Sequence, residues 1–239
     1  MTDDDFEQRI AGVASLAEPQ RRALYGFVIA RNAPVSKVEA AAALGLARSV
    51  AAFHLDRLVA DGLLTAEYRR LTGRQGPGAG RPAKLYRRAE SDLSVSLPSR
   101  HYDLAAELLA DAIDGATESG ESVGDALTRA ASARGRVLGE RARERAGKRP
   151  NRRALLDAAL GVLEEQGYEP HATTSEIVLA NCPFHALVDE HRDLVCGMNH
   201  DLLCGMSSAV DGVLDARLAP TEGTCCVRLD ADHRVLKGR

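Results

Sequence analysis

The chain has 239 residues, 45% of them hydrophobic, enough for one large buried core or two smaller ones, and no apolar run approaches the ~18 residues of a membrane span. Only 4% are aromatic and Trp is absent, so Leu, Val and Ala must fill the interior. The net charge of −3 conceals an asymmetry: residues 19–90 carry thirteen Lys/Arg against five acids, or +8, leaving −11 for the rest, and a basic module on an acidic body is an electrostatic footprint for nucleic acid.

A first helix is expected over residues 4–14. Pro19 suits the first turn of a second, which continues through Leu24, Phe27 and Val28 to about Arg31, where Asn32-Ala33-Pro34 breaks it. Ser36-Lys37-Val38-Glu39 has the spacing of a capping box and opens a short helix to Leu44, followed by the turn glycine Gly45. A longer helix runs from about Arg48 to Asp61, with Val50, Phe53, Leu58 and Val59 available for the core, and Gly62 ends it. Leu63–Leu71 and Lys84–Arg88 read as two strands around a Gly/Pro/Arg-rich loop, a basic hairpin. After a linker over about 89–100, helices are expected at 102–115, 123–145 and from Asn151 to near Gly167. Short strands follow at 168–173 and 176–181, helical segments at about 184–190 and 194–213, and a closing strand from Cys225 to Leu229.

Helix, glycine turn, helix and basic hairpin, in that order, make a winged helix-turn-helix. Its second helix would offer Arg48, Ser49, Ala52, His54 and Arg57 to a major groove, with His54 equally placed to face the phosphates or the core, and Arg74, Arg81 and Lys84 of the wing would follow the backbone or an adjacent minor groove. A helix-turn-helix used only for protein contacts would have no use for so basic a wing.

The opposite end carries a different chemistry. All five cysteines lie between Cys182 and Cys226, and four of the seven histidines (His171, His185, His191, His200) fall in or just before that region. An acidic start, Met1-Thr2-Asp3-Asp4-Asp5, is unlike a secretory signal, so the chain is read as cytoplasmic, where clustered thiols favour metal, cluster or redox roles over disulfides. Cys182, Cys196 and the Cys225-Cys226 doublet lack a Cys-x-x-Cys knuckle, so tertiary structure must assemble any site they form. If the doublet lies in a strand, its side chains point to opposite faces and only one of them contributes. His185 would complete three cysteines as a tetrahedral zinc site, and Cys204 reads as a core residue. Spacing alone leaves iron–sulfur, zinc and ligand-free thiol sensing open.

The segments Ala40–Leu46, Ser49–Leu58, Asp61–Leu64 and Gly80–Tyr86 resemble the ArsR-like winged-helix regulators. Within them the chain is most similar to the SufR-type branch, through Ser94–Pro98, Tyr102–Ala105, Asn181-Cys182-Pro183, Cys196 and Cys225-Cys226. The resemblance implies a homodimeric repressor of double-stranded DNA operators, with an iron–sulfur cluster, of the four-iron type, held by Cys182, Cys196 and one of the doublet. The expected fold is mainly α with small β: a winged helix-turn-helix over 1–90 and a C-terminal α+β sensor domain over 91–239. The helix at 102–115 is the candidate for the dimer contact or for the coupling between domains. A thiol- or zinc-dependent enzyme is the rival class, but the chain has neither a Gly-rich phosphate loop nor a His-Glu-x-x-His element. A regulator with a small organic effector is the other alternative.

Overall fold

The computed structural model describes residues 3–70, 82–90, 93–173 and 176–231. The chain forms two compact units, Met1–Val95 and Ser96–Arg239. Both are mainly helical, with small antiparallel sheets.

The first unit runs α1 (Asp3–Ser15), α2 (Pro19–Ile29), β1 (Val35–Ser36), α3 (Lys37–Leu44), α4 (Arg48–Ala60), β2 (Leu64–Arg69) and β3 (Ala83–Arg88). Glu18 caps α2 through its carboxylate, which accepts from the backbone N–H groups of Gln20 and Arg21. The Ser36–Glu39 capping box opens α3: Ser36 Oγ accepts from the Glu39 N–H, and the Glu39 carboxylate accepts from the Ser36 N–H at 2.8 Å. Gly45 closes α3 at φ 64°, a left-handed conformation that glycine adopts without cost. The chain then turns through 116° from α3 into α4. β1, β3 and β2 form an antiparallel sheet in that order, over a core that includes Leu24, Val28, Leu55, Leu58 and Tyr86. The phase of α4 differs from expectation. Ala51, His54, Leu55 and Leu58 face inward, whereas Phe53 is 66% exposed. An alanine and a histidine on the buried face weaken its apolar signal, which misplaced the stripe.

The second unit runs α5 (Tyr102–Ser119), α6 (Val123–Ala146), α7 (Arg152–Glu165), β4 (Pro170–Ala172), β5 (Glu176–Leu179), α8 (His185–Ala209), β6 (Leu214–Leu218) and β7 (Val227–Ala231). Ser122 and Asn151 cap α6 and α7, each accepting from a backbone N–H three residues on. The strands order β4-β5-β7-β6, all antiparallel. The two helical segments expected beyond Phe184 are joined as α8, with non-helical angles at His191 where they were expected to part. β6 was not expected. Asp211 and Gly212, both at positive φ, end the turn after α8, and Leu214–Arg217 alternates inside and outside as a strand does. α6 and α8 pack so closely that a Cβ on Gly135 would lie 1.9 Å from the Leu202 carbonyl oxygen, and one on Gly205 2.2 Å from that of Ser132. No single helix among the described residues is long and apolar enough to cross a membrane.

Candidate metal centre and nucleic-acid interface

Pairing of β5 with β7 explains how distant cysteines meet. The strands are antiparallel, with Val178 opposite Arg228, so the end of β5 lies beside the start of β7. Cys182 follows the first and Cys225-Cys226 precede the second, and the Cys225 N–H donates to the Leu179 carbonyl at 2.9 Å. α8 begins just after Cys182 and presents Cys196 beyond its kink. All four sulfur-bearing residues are buried, and all four border one cavity of about 770 Å³. Both members of the doublet border it. They sit in the irregular turn before β7, where the alternation of a strand does not yet hold.

The thiols perturb one another. Hydrogen bonding with Cys225 and burial raise Cys182 far above the ordinary thiol range. Cys225 is lowered by its hydrogen bond with Cys182, but hydrogen bonding with Cys226 and burial outweigh this and push it up to about 11. Burial raises Cys196, against a lowering hydrogen bond with Cys226. Among the described residues no three Cys, His, Asp or Glu side chains stand in a geometry that already holds a metal ion. The four thiols share a cavity wall rather than a formed coordination sphere.

His185, the expected fourth ligand, also borders the cavity but is exposed as the first residue of α8. His171 and His191 are exposed, on β4 and at the kink of α8. Cys204 is half-buried, is not among the cysteines lining the cavity, and lies 3.4 Å from His200 Nε2, one helical turn back.

Four residues around the thiols were not anticipated. Asn199 lies three residues beyond Cys196 on α8; its Nδ2 donates to Cys225 Sγ at 3.2 Å, and its Oδ1 accepts from the buried Tyr168 hydroxyl. Arg100 and Arg192 bring positive charge to the cavity wall. Helical spacing from Cys196 could have singled out Asn199, and Arg192 lies four residues before Cys196. For Arg100 and Tyr168 the sequence carries no local signal.

In the first unit, Arg48 and Ser49 are exposed at the start of α4, Ala52 is half-exposed, and Arg57 pairs with Asp61 at 2.9 Å while keeping 55% of its side chain exposed. His54 is a correction. Named among the groove-facing residues with the core as its alternative, it takes the core: it is 9% exposed and packed inward, its Nδ1 3.7 Å from Glu18 and its ring edge-on to Phe53. Phe53 takes the outward position beside Ala52. Lys84 is committed to Asp56 at 2.6 Å, and the Tyr86 hydroxyl donates to the same oxygen at 2.7 Å, which ties β3 to α4. Arg74 and Arg81 lie outside the described residues.

No family model, no curated protein and no solved structure matches this chain.

Proposed function

We propose that the protein is a DNA-binding transcriptional repressor, and not an enzyme, whose operator affinity is set by an iron–sulfur cluster at Cys182, Cys196, Cys225 and Cys226. One observation carries the reading: four buried cysteines from three separate chain segments border a single cavity. Thiolates are the ligands of iron–sulfur clusters, and four of them suit the four-iron type. Burial of all four answers a cluster's need for shelter from solvent, and Arg100 and Arg192 offset its negative charge. A bound cluster supplies iron centres that oxygen or iron scarcity removes. Asn199 orients Cys225 through its hydrogen bond to the sulfur. Zinc is the second reading, favoured by His185 at the cavity mouth, since three cysteines and one histidine make a tetrahedral zinc set.

The DNA-binding half of the proposal rests on element order and charge. α3 and α4 turn through 116°, inside the ~90–120° of helix-turn-helix pairs, and β2 and β3 would form the stem of a wing. α4 would enter the major groove with Arg48, Ser49 and Ala52 outward. Phe53 replaces His54 in that set, as an apolar side chain able to meet a thymine methyl. A homodimer would place two such helices about one turn of duplex, ~34 Å, apart on a near-palindromic site in the cytoplasm. α5 offers Tyr102 and Ile113 as exposed apolar residues for the dimer contact.

The test is selection of bound duplexes from a randomised pool by the anaerobically purified protein, then titration of the selected site at several salt concentrations. The expected result is a near-palindrome, with Arg48→Ala weakening binding and lowering the salt slope by about one. No enriched duplex, or a slope that Arg48→Ala leaves unchanged, overturns this placement of the interface.

A further inference from the structure

We infer that Arg100 and Asn181 form a latch that carries the state of the cysteine cavity into the segment joining the two units. The inference rests on the function proposed above and names the residues through which that site would be read.

The joining segment is short. Leu93 packs into the core of the first unit, and Ser99 is already fixed within the second. Residues 94–98 lie between, and six residue steps span at most about 22 Å when extended. Ser99 therefore lies within six residues of the core of the first unit.

Ser99–His101 are bonded to the cysteine loop itself. Arg100 Nη1 donates to the backbone carbonyl of Cys182 at 2.9 Å and to Asn181 Oδ1. Asn181 Nδ2 donates back to the Ser99 carbonyl at 2.9 Å and to the Gly167 carbonyl at 2.6 Å. The His101 N–H donates to the Pro183 carbonyl at 3.1 Å. Asn181 is only 7% exposed, so a displaced partner leaves its amide buried and unpaired, and the two segments resist moving independently.

Arg100 also borders the cavity. One side chain thus touches the space where the cofactor would sit, the carbonyl of one of its ligands, and the start of the tether. A cofactor held by Cys182, Cys196, Cys225 and Cys226 would reposition the Cys182 loop, and the bonds of Arg100 to the Cys182 carbonyl and of Asn181 to Ser99 would pass that shift to the tether. The states with and without cofactor then present the tether differently, which a coupling between the two sites requires. Arg100 and Asn181 act through Cys182 and are positioning residues.

The experiment uses the full-length protein, anaerobically loaded or stripped with a chelator, with iron and sulfide per chain measured beside operator affinity. Wild-type affinity is expected to differ between the two states by about 5–150-fold, and Asn181→Ala and Arg100→Ala to bring that ratio toward one with iron content retained. Arg100→Lys, which keeps a cation and donors at its tip, recovers part of the ratio. A residue that merely supported the fold would lower iron content and stability while leaving the ratio intact; that result overturns the latch. Hydrogen exchange on the wild-type protein does not depend on any variant folding. The amide of His101 is expected to exchange faster after stripping, and unchanged exchange overturns the latch as well. A wild-type protein that holds no iron, or whose affinity ignores it, overturns the proposed function itself, a failure distinct from variants that switch normally.

Discussion

Replacing Gly205 by Ala forces α8 off α6. The added Cβ would stand 2.2 Å from the Ser132 carbonyl oxygen and 2.9 Å from its carbon, where ordinary contact begins at 3.4 Å, so the helices must part by about 1.2 Å. Both opposing groups are backbone, and no rotamer change can relieve the clash. Overpacking costs typically ~1–3 kcal/mol, and a backbone clash of this depth belongs at the upper end, about 3. Helix propensity returns about 1 kcal/mol, leaving a net loss of about 2. Gly197 lies on the same helix with nothing within 4 Å of an added Cβ, so Gly197→Ala keeps the propensity gain and stabilises by up to about 1 kcal/mol. The two variants should differ by about 3 kcal/mol, or ~1.5 M in the urea midpoint at a slope of about 2 kcal/mol/M. Hydrogen exchange of α6 and α8 peptides across a urea series reads the second unit separately from the first. A Gly205→Ala protein as stable as wild type, or less affected than Gly197→Ala, would refute the close approach of these helices.

Phe53→Ala is expected to leave the stability of the first unit almost unchanged but to relax base preference on a selected duplex, whereas His54→Ala is expected to destabilise the unit by ~1–3 kcal/mol; urea titration and duplex selection separate the two. Burial raises the Asp56 carboxyl, but hydrogen bonds from Lys84 and Tyr86 outweigh it and hold it below its usual value. Its contribution is therefore complete above ~pH 4 and lost as pH falls through the lower folded value, and Asp56→Asn should flatten that acid limb of the stability curve. Cys204 is not among the cysteines lining the cavity, so Cys204→Ser should retain the metal content of the wild-type protein, measured by elemental analysis beside Cys182→Ser, which should lose it.

Features set by neighbouring residues were legible in the sequence. The Ser36–Glu39 box, the glycine after α3 and the Asn151 cap each depend on groups within a few positions, and their residue types announce them. The kink at His191 falls where two helical segments were expected to part. What was missed depends on phase or on distance. β6 was left unassigned beyond the expected helix at 194–213, although Leu214-Asp215-Ala216 already alternates. His54 and Phe53 exchanged roles because one helical position separates the buried face from the open one. The cysteines were legible as a set, but not that both Cys225 and Cys226 border the cavity, which follows from where β7 begins. Arg100 reaches Cys182 across 82 positions, and no local pattern encodes such a bond.

The most direct measurement is iron, acid-labile sulfide and zinc per chain in protein purified without oxygen, together with its visible absorption. The account predicts brown protein with about four irons and four sulfides per chain, lost in Cys182→Ser and Cys196→Ser. Colourless protein with about one zinc, retained through His185, would contradict the cluster and leave the zinc site. Colourless protein without metal would contradict both.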